Sequence, residues 1–220
     1  MPATASPDGP GGARTVRGGA AAADWLKNSN LPITTVPAGQ VLHRIQHRIH
    51  RSNLDPVFYG PGAGNDPVYR FDSASGRFGV LYVGHAFAGV FAETILRNPQ
   101  RLMVAEREIV TRSVTELSSR AALRVVTMHG AGLQILGTDN SISTGPYEPC
   151  GPWADALWDH PEEPDGIAYL SRHDPGDVCY AVFERKPIAF DVKATHPLTA
   201  MQSDVAQLLH RYGKSLSADV

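Results

Sequence analysis

The chain has 220 residues, 42% of them apolar, and its 20 Lys and Arg against 22 Asp and Glu give a net charge of −2. That balance argues against a protein that coats nucleic acid, because no basic excess is available to neutralise phosphates. No stretch approaches 18 uncharged apolar residues, so no membrane-spanning helix is expected, and a chain this long buries about 70% of its unfolded surface without a disulfide or metal staple.

Residues 1–23 hold 15 Gly, Ala or Pro, with Met1 and Val16 as the only large apolar side chains. Ala20 to Ala23 is too short and too weak for the apolar segment of a signal peptide. The stretch reads as a flexible tail (1–23), followed by one domain over 24–220. Cys150 and Cys179 form no framework and no metal spacing. They read as plain thiols, which fits a reducing cytoplasm as the location.

Along the domain, Val41 to Ile45 reads as a short strand. The stretch from Arg51 to Ser75, with its Pro and Gly, reads as irregular. Val80-Leu81-Tyr82-Val83 is a compact apolar run between glycines, the pattern of a buried strand. Ala86 to Arg97 carries helical spacing and is stopped by Asn98-Pro99. Val104 to Val110 and Leu123 to Met128 are expected as strands, and Pro152 to His160 as a short helix. Asp165-Gly166 is a turn into a strand over Ile167 to Leu170, and Val178 to Phe183 is a further strand. Thr199 to Tyr212 places Met201, Val205, Leu208, Leu209 and Tyr212 on one side of an amphipathic helix. Strands and helices mix without regular βαβ alternation, so the fold class is α+β.

The segment Val80 to Arg97 carries the most chemistry. Glu93 stands eleven residues after Tyr82, on a helix side shared with Ala86 and Val90. A carboxylate there is costly unless it is paired or used. Phe87, Phe91 and Ile95 define the more apolar face, however, and from position alone a helix-border Glu reaching solvent is the simpler reading. Arg44 lies within a strand and Arg70 where the irregular stretch ends. Each needs an anionic partner: a diphosphate matching the planar guanidinium fork, or an internal Asp or Glu. His43, His47 and His50 would face one metal on a helix but do not converge on a strand, and no H-E-x-x-H, C-x-x-C or G-x-G-x-x-G is present, so no metal site is expected. Pro61-Gly62-Ala63-Gly64 lacks the Lys-Ser/Thr of a phosphate-binding loop and reads as a turn.

Four pieces in order then resemble the RES-domain proteins: Leu42-His43-Arg44-Ile45, Tyr69-Arg70-Phe71-Asp72, Gly79-Val80-Leu81-Tyr82 to Ala92-Glu93, and Asp165 through Arg172. The family is named for its Arg, Glu and Ser, here Arg44, Glu93 and Ser171, and the resemblance covers about residues 40–190. It implies a fold similar to ADP-ribosyltransferase toxins and the toxin role of a bacterial toxin–antitoxin pair. The implied substrate is NAD⁺, with cleavage of its nicotinamide–ribose bond by phosphate or water, or transfer of ADP-ribose to a protein. A member that only binds a nucleotide or partner is the non-catalytic alternative. The implied partner is an antitoxin with an Xre-like helix-turn-helix region that covers the active site; no direct contact with nucleic acid is implied.

On this reading Glu93 would stabilise an oxocarbenium-like ribose. Tyr82 would stack on the nicotinamide ring, and Arg44 and Arg70 would clamp the diphosphate. Ser171 would hydrogen-bond the substrate or orient Glu93. No resident cofactor is implied, inorganic phosphate being a possible co-substrate. Arg77, seven residues after Arg70, is a further arginine of open role. The chain departs from some family members at Ile45, where they carry an aromatic residue, and its Arg44-to-Arg70 and Glu93-to-Ser171 intervals are long.

Overall fold

The computed structural model describes residues 26–48, 55–185 and 188–218. The tail expected at 1–23, and His50, lie outside these residues. Strands β1 (Ile33–Val36), β2 (Val41–His47), β3 (Val80–Gly84), β5 (Arg112–Ser119), β6 (Leu123–Met128), β7 (Gly166–Leu170), β8 (Val178–Phe183) and β9 (Phe190–Pro197) form one sheet in the order β1-β6-β7-β8-β3-β2-β5-β9. Neighbours run antiparallel except β6 and β7, which are parallel. Strands β4 (Met103–Ala105) and β10 (Ser215–Ser217) pair in parallel as a separate ribbon. The helices are α1 (Phe87–Ile95), α2 (Glu106–Val110), α3 (Ala131–Ile135), α4 (Ser141–Thr144), α5 (Cys150–Trp158) and α6 (Gln202–Arg211). The architecture is the α+β class expected.

The sheet is weakest in its middle. Strand β2 matches β5 over seven residue pairs, Val41↔Ser118 through His47↔Arg112, yet it meets β3 only at His43↔Gly84. From Arg44 onward β2 and β3 diverge, and a cleft opens between them. Strand β3 itself is held firmly on its other side, with five pairs to β8. Its apolar residues are buried on both faces, as a central strand requires. Alternation sends Val80 and Tyr82 to one face and Leu81 and Val83 to the other. On the first face they join Phe71, Phe78, Trp153 and Phe183. On the second they join Leu42, Leu117, Tyr180 and Val182.

Helix α1 lies across β2 and β3, and two glycines set how closely. A Cβ on Gly84 would come within 2.4 Å of Val90 Cγ1, and one on Gly89 within 2.6 Å of Asp177 Cβ. Side chains at either position would push α1 off the strand or off the loop after β7. A third cluster, with Val90 and Phe91 of α1 against Val114, Leu198, Val205 and Leu209, docks α6 on the same helix. This matches the amphipathic helix expected near the C-terminus.

One sequence expectation is corrected, and one long strand went unread. The strand expected over Val104 to Val110 ends at Ala105. Helix α2 follows, with Glu106 and Glu108 in its first turn and an ion pair from Glu108 to Arg112 four residues on. Strand β5 was not foreseen, since its buried positions include Ser113, Thr115, Ser118 and Ser119 as well as Val114 and Leu117. Hydroxyls satisfy that polarity: Thr115 and Thr195 share a hydrogen bond at 3.0 Å, and Ser119 donates to the Ala121 carbonyl.

Candidate active site

The cleft at the β2–β3 divergence has a volume of about 1340 Å³. Its walls come from β2, β3, the end of α1, the loops over 58–70 and 143–147, and the start of the loop after β7. Six arginines and three glutamates line it, with neither Lys nor Asp among the lining residues. In a chain of net charge −2, the cleft is a local concentration of positive charge.

Glu93 stands at the last turn of α1, half-buried, with its carboxylate turned toward the loop after β7. Ser171 Oγ donates to Glu93 Oε1 at 2.7 Å, the Arg172 amide donates to the same oxygen at 2.5 Å, and the His173 amide reaches it at 3.4 Å. Oε2 takes no partner among the described residues and is the oxygen left for a ligand. The helix-border reading of Glu93 left these contacts out, because they come from residues about 80 positions away.

Ser171 is 1% exposed and is not among the residues lining the cleft. Besides donating to Glu93, its Oγ accepts the His173 and Asp174 amides at 3.2 and 3.0 Å. Of the two contacts open to it from sequence, substrate or Glu93, the structure supplies the second.

Arg44 Nη1 donates to the Pro56 and Phe58 carbonyls at 3.1 and 2.8 Å. Burial pushes its pKa down to about 10, against the pull of Tyr69 and Asp55, so it stays charged at neutral pH. Arg70 is 7% exposed. Its Nη1 donates to the Ile142 carbonyl at 3.1 Å, with Pro146 O and Cys150 Sγ further off, and its guanidinium sits 4.5 Å from the Tyr147 ring centroid. Arg70 Nη2 is buried without a hydrogen bond. Neither arginine forms a salt bridge with a carboxylate among the described residues. Arg77, by contrast, pairs with Asp159 through two contacts of 2.8 and 2.9 Å and lines no part of the cleft.

Tyr82 puts its ring on the cleft wall, edge-on to Tyr69 at 5.5 Å between centroids. Its hydroxyl is committed elsewhere, donating to Asp72 Oδ1 and accepting the Phe71 amide, both at 2.9 Å. Asp72, which sequence reasoning did not single out, is 1% exposed, and its Oδ2 accepts the Val68 and Tyr69 amides at 2.8 and 2.6 Å. Burial raises its pKa, and the three hydrogen bonds oppose that rise. Asp72 therefore fixes both the Arg70 loop and the Tyr82 ring. The signal was present as an Asp directly after the apolar Phe71. Tyr147, another cleft residue that was missed, carried no such signal. Cys150 and Cys179 are free, buried thiols. His43 and His47 lie on strand β2, so no helix brings them together.

The RES domain model matches residues 41–204. The chain is 32% identical over 106 residues to the "Probable toxin y4kH" of Sinorhizobium fredii (strain NBRC 101917 / NGR234), a span of 48% of this chain and 82% of that protein. Among solved structures, the M. tuberculosis MbcT-MbcA toxin–antitoxin complex contains a chain of the same fold. The TM-score is 0.54 at 14% identity, covering 77% of this chain and 90% of the other. With Arg44, Glu93 and Ser171 all inside the matched span, this chain belongs to the RES-domain family.

Proposed function

We propose that the protein is the toxin of a toxin–antitoxin pair and that it cleaves the nicotinamide–ribose bond of NAD⁺, depleting the cellular pool. One observation carries the reading: Glu93 is held by Oε1, with Oε2 open to a cleft in which arginines outnumber carboxylates two to one. A relative described as a probable toxin and a neighbour in fold that belongs to a toxin–antitoxin complex support the toxin role. An antitoxin with an Xre-like region is the partner proposed, covering the cleft.

The chemistry follows from the charges. As the bond from ribose C1′ to the nicotinamide nitrogen breaks, its electron pair neutralises the positive ring, which leaves as neutral nicotinamide. No strong general acid is needed. The positive charge moves to the ribose, where Glu93 Oε2 stabilises it electrostatically. Arg44 and Arg70 hold the diphosphate, and the Tyr82 ring faces the nicotinamide. A phosphate or water oxygen then bonds to C1′, giving ADP-ribose-1″-phosphate, or ADP-ribose with release of a proton. Phosphate suits the basic cleft.

Nicotinamide release from NAD⁺ by the purified chain, with and without phosphate, tests the reading beside Glu93→Gln. The variant keeps the shape and deletes the charge, and a loss of about 10²–10³ in rate is expected. Turnover near wild type in Glu93→Gln rejects the role given to the carboxylate. Labelled ADP-ribose recovered on a protein, with none free, transfers the reading to a protein ADP-ribosyltransferase. NAD⁺ binding without turnover makes it a binding protein.

A further inference from the structure

We infer that Tyr212 is a positioning residue for the Glu93 carboxylate, acting through Asp174 and the loop over 171–177. The inference rests on the reading of Glu93 given above. Both Tyr212 and its neighbour Arg211 lie beyond residue 204, where the family match ends, so the donors of this contact lie outside the matched span and its acceptor, Asp174, inside it.

The contacts form a continuous path. Tyr212 Oη donates to Asp174 Oδ2 at 2.5 Å, and Arg211 Nη2 reaches the same oxygen at 3.3 Å. The Asp174 amide donates to Ser171 Oγ at 3.0 Å, and Ser171 Oγ donates to Glu93 Oε1 at 2.7 Å. Within the loop the Asp177 amide donates to the Asp174 carbonyl, and the Ser171 amide to the Asp177 carbonyl, at 3.0 and 2.9 Å. The loop is thus closed on itself and fastened outward at Asp174.

Two features make Tyr212 the main fastening. Arg211 is 58% exposed, so solvent screens its pairing and it holds little. Tyr212 is half-buried, and burial together with Asp174 keeps its phenol protonated well beyond its ordinary range, so it remains a donor. The same residue packs against the cluster holding Val90 and Phe91 of α1, and its hydroxyl lies 3.5 Å from the Ala88 carbonyl. It therefore sets the loop that carries Ser171 against the helix that carries Glu93. Neither Tyr212 nor Asp174 lines the cleft, so neither touches a ligand there.

The test uses the full chain and Tyr212→Phe, which removes one oxygen and keeps the ring in its cluster. A small misplacement of a catalytic group costs up to about a hundredfold, so kcat for nicotinamide release is expected to fall about tenfold with KM within twofold. In an Asp174→Ala background the same substitution should change kcat less than about twofold, since the path is already cut. Amide hydrogen exchange gives a readout independent of turnover. Exchange at Arg172, His173 and Asp174 should rise about tenfold in Tyr212→Phe, while β3 keeps its protection. Unchanged exchange at these three amides overturns the inference, as does a general loss of protection that includes β3. So does a KM rise at constant kcat, which would place Tyr212 against the ligand. If the wild type releases no nicotinamide, the functional reading fails, and exchange alone decides the tether.

Discussion

Ser171→Ala separates the two contacts that the sequence left open for this serine. The substitution deletes one oxygen that is 1% exposed and engaged in three hydrogen bonds. The bond to Glu93 is to a charged acceptor, a class worth about 1.5–3 kcal/mol. Without it, Glu93 Oε1 retains the Arg172 amide and the longer contact from His173. At about 1.4 kcal/mol per factor of ten, expression of that bond in the transition state costs kcat about ten- to a hundredfold. The His173 and Asp174 amides also lose their buried acceptor, at about 1–3 kcal/mol of stability. For a chain of this size that lowers Tm by about 2–12 °C.

Steady-state nicotinamide release well below the transition, together with a thermal melt, measures both effects. KM is expected to stay near wild type, because Ser171 does not reach the cleft wall. In a Glu93→Gln background the serine should matter little to kcat, since the charge it orients is gone. A KM rise with kcat unchanged would refute the reasoning by placing Ser171 on the substrate. Turnover within twofold of wild type would refute it differently, by showing that the bond does not hold the carboxylate.

Arg70→Ala should raise KM for NAD⁺ about tenfold or more through loss of a phosphate contact. It should also lower Tm, since the Ile142 carbonyl loses a buried donor; an unchanged KM in steady-state kinetics removes Arg70 from the binding site. Asp72→Asn tests the hidden carboxylate by chemical denaturation across pH. The folded-state pKa of Asp72 lies above its ordinary value, so the folded state binds that proton more tightly than the unfolded one. Wild-type stability relative to the variant should then fall as pH rises from the unfolded carboxylate value, about 3.9, through the raised one. A difference that is flat over this range shows that Asp72 is not perturbed by folding.

What the sequence disclosed depended on how far apart the interacting residues lie. Strand β8 was readable to its ends and α1 nearly so, because a buried apolar run and a helical period are local signals. Strand β5 was not, because hydroxyls rather than large apolar side chains fill its buried positions. Helix α2 was hidden for the opposite reason: Val104 to Val110 begins and ends on apolar residues that suit a strand, and only the charged run Glu106-Arg107-Glu108 marks a turn of helix. Arg44, Arg70, Tyr82 and Glu93, which line the cleft, were singled out by residue type and by the ordered resemblance. Asp72 and Tyr212 were passed over because the hydroxyl–carboxylate bonds that tie them to the site, Tyr82 to Asp72 and Tyr212 to Asp174, join residues ten and 38 positions apart in the chain. Tyr212 was read only as an apolar position of its helix, and its hydroxyl carried the other half of its role.

The partners of Arg44 and Arg70 argue for an anion in the cleft. Outside the cleft three guanidinium groups pair with carboxylates, Arg77 with Asp159, Arg120 with Asp191 and Arg124 with Glu162, whereas Arg185 donates to the Pro164, Leu157 and Trp158 carbonyls over the Trp158 ring. All three pairs are at least a third exposed, where pairing is worth little and solvent would have served instead. Arg44 and Arg70 are in the reverse situation. They are the costlier charges to bury, and yet the partners the fold gives them are the carbonyls of Pro56, Phe58 and Ile142 and the face of Tyr147. Carbonyl dipoles and a ring face orient a guanidinium without neutralising it. A sequence with more carboxylates than cations had the means to pair both. Leaving them with dipoles on the wall of a cleft costs stability, and a ligand that brings its own negative charge, as a diphosphate does, recovers that cost on binding.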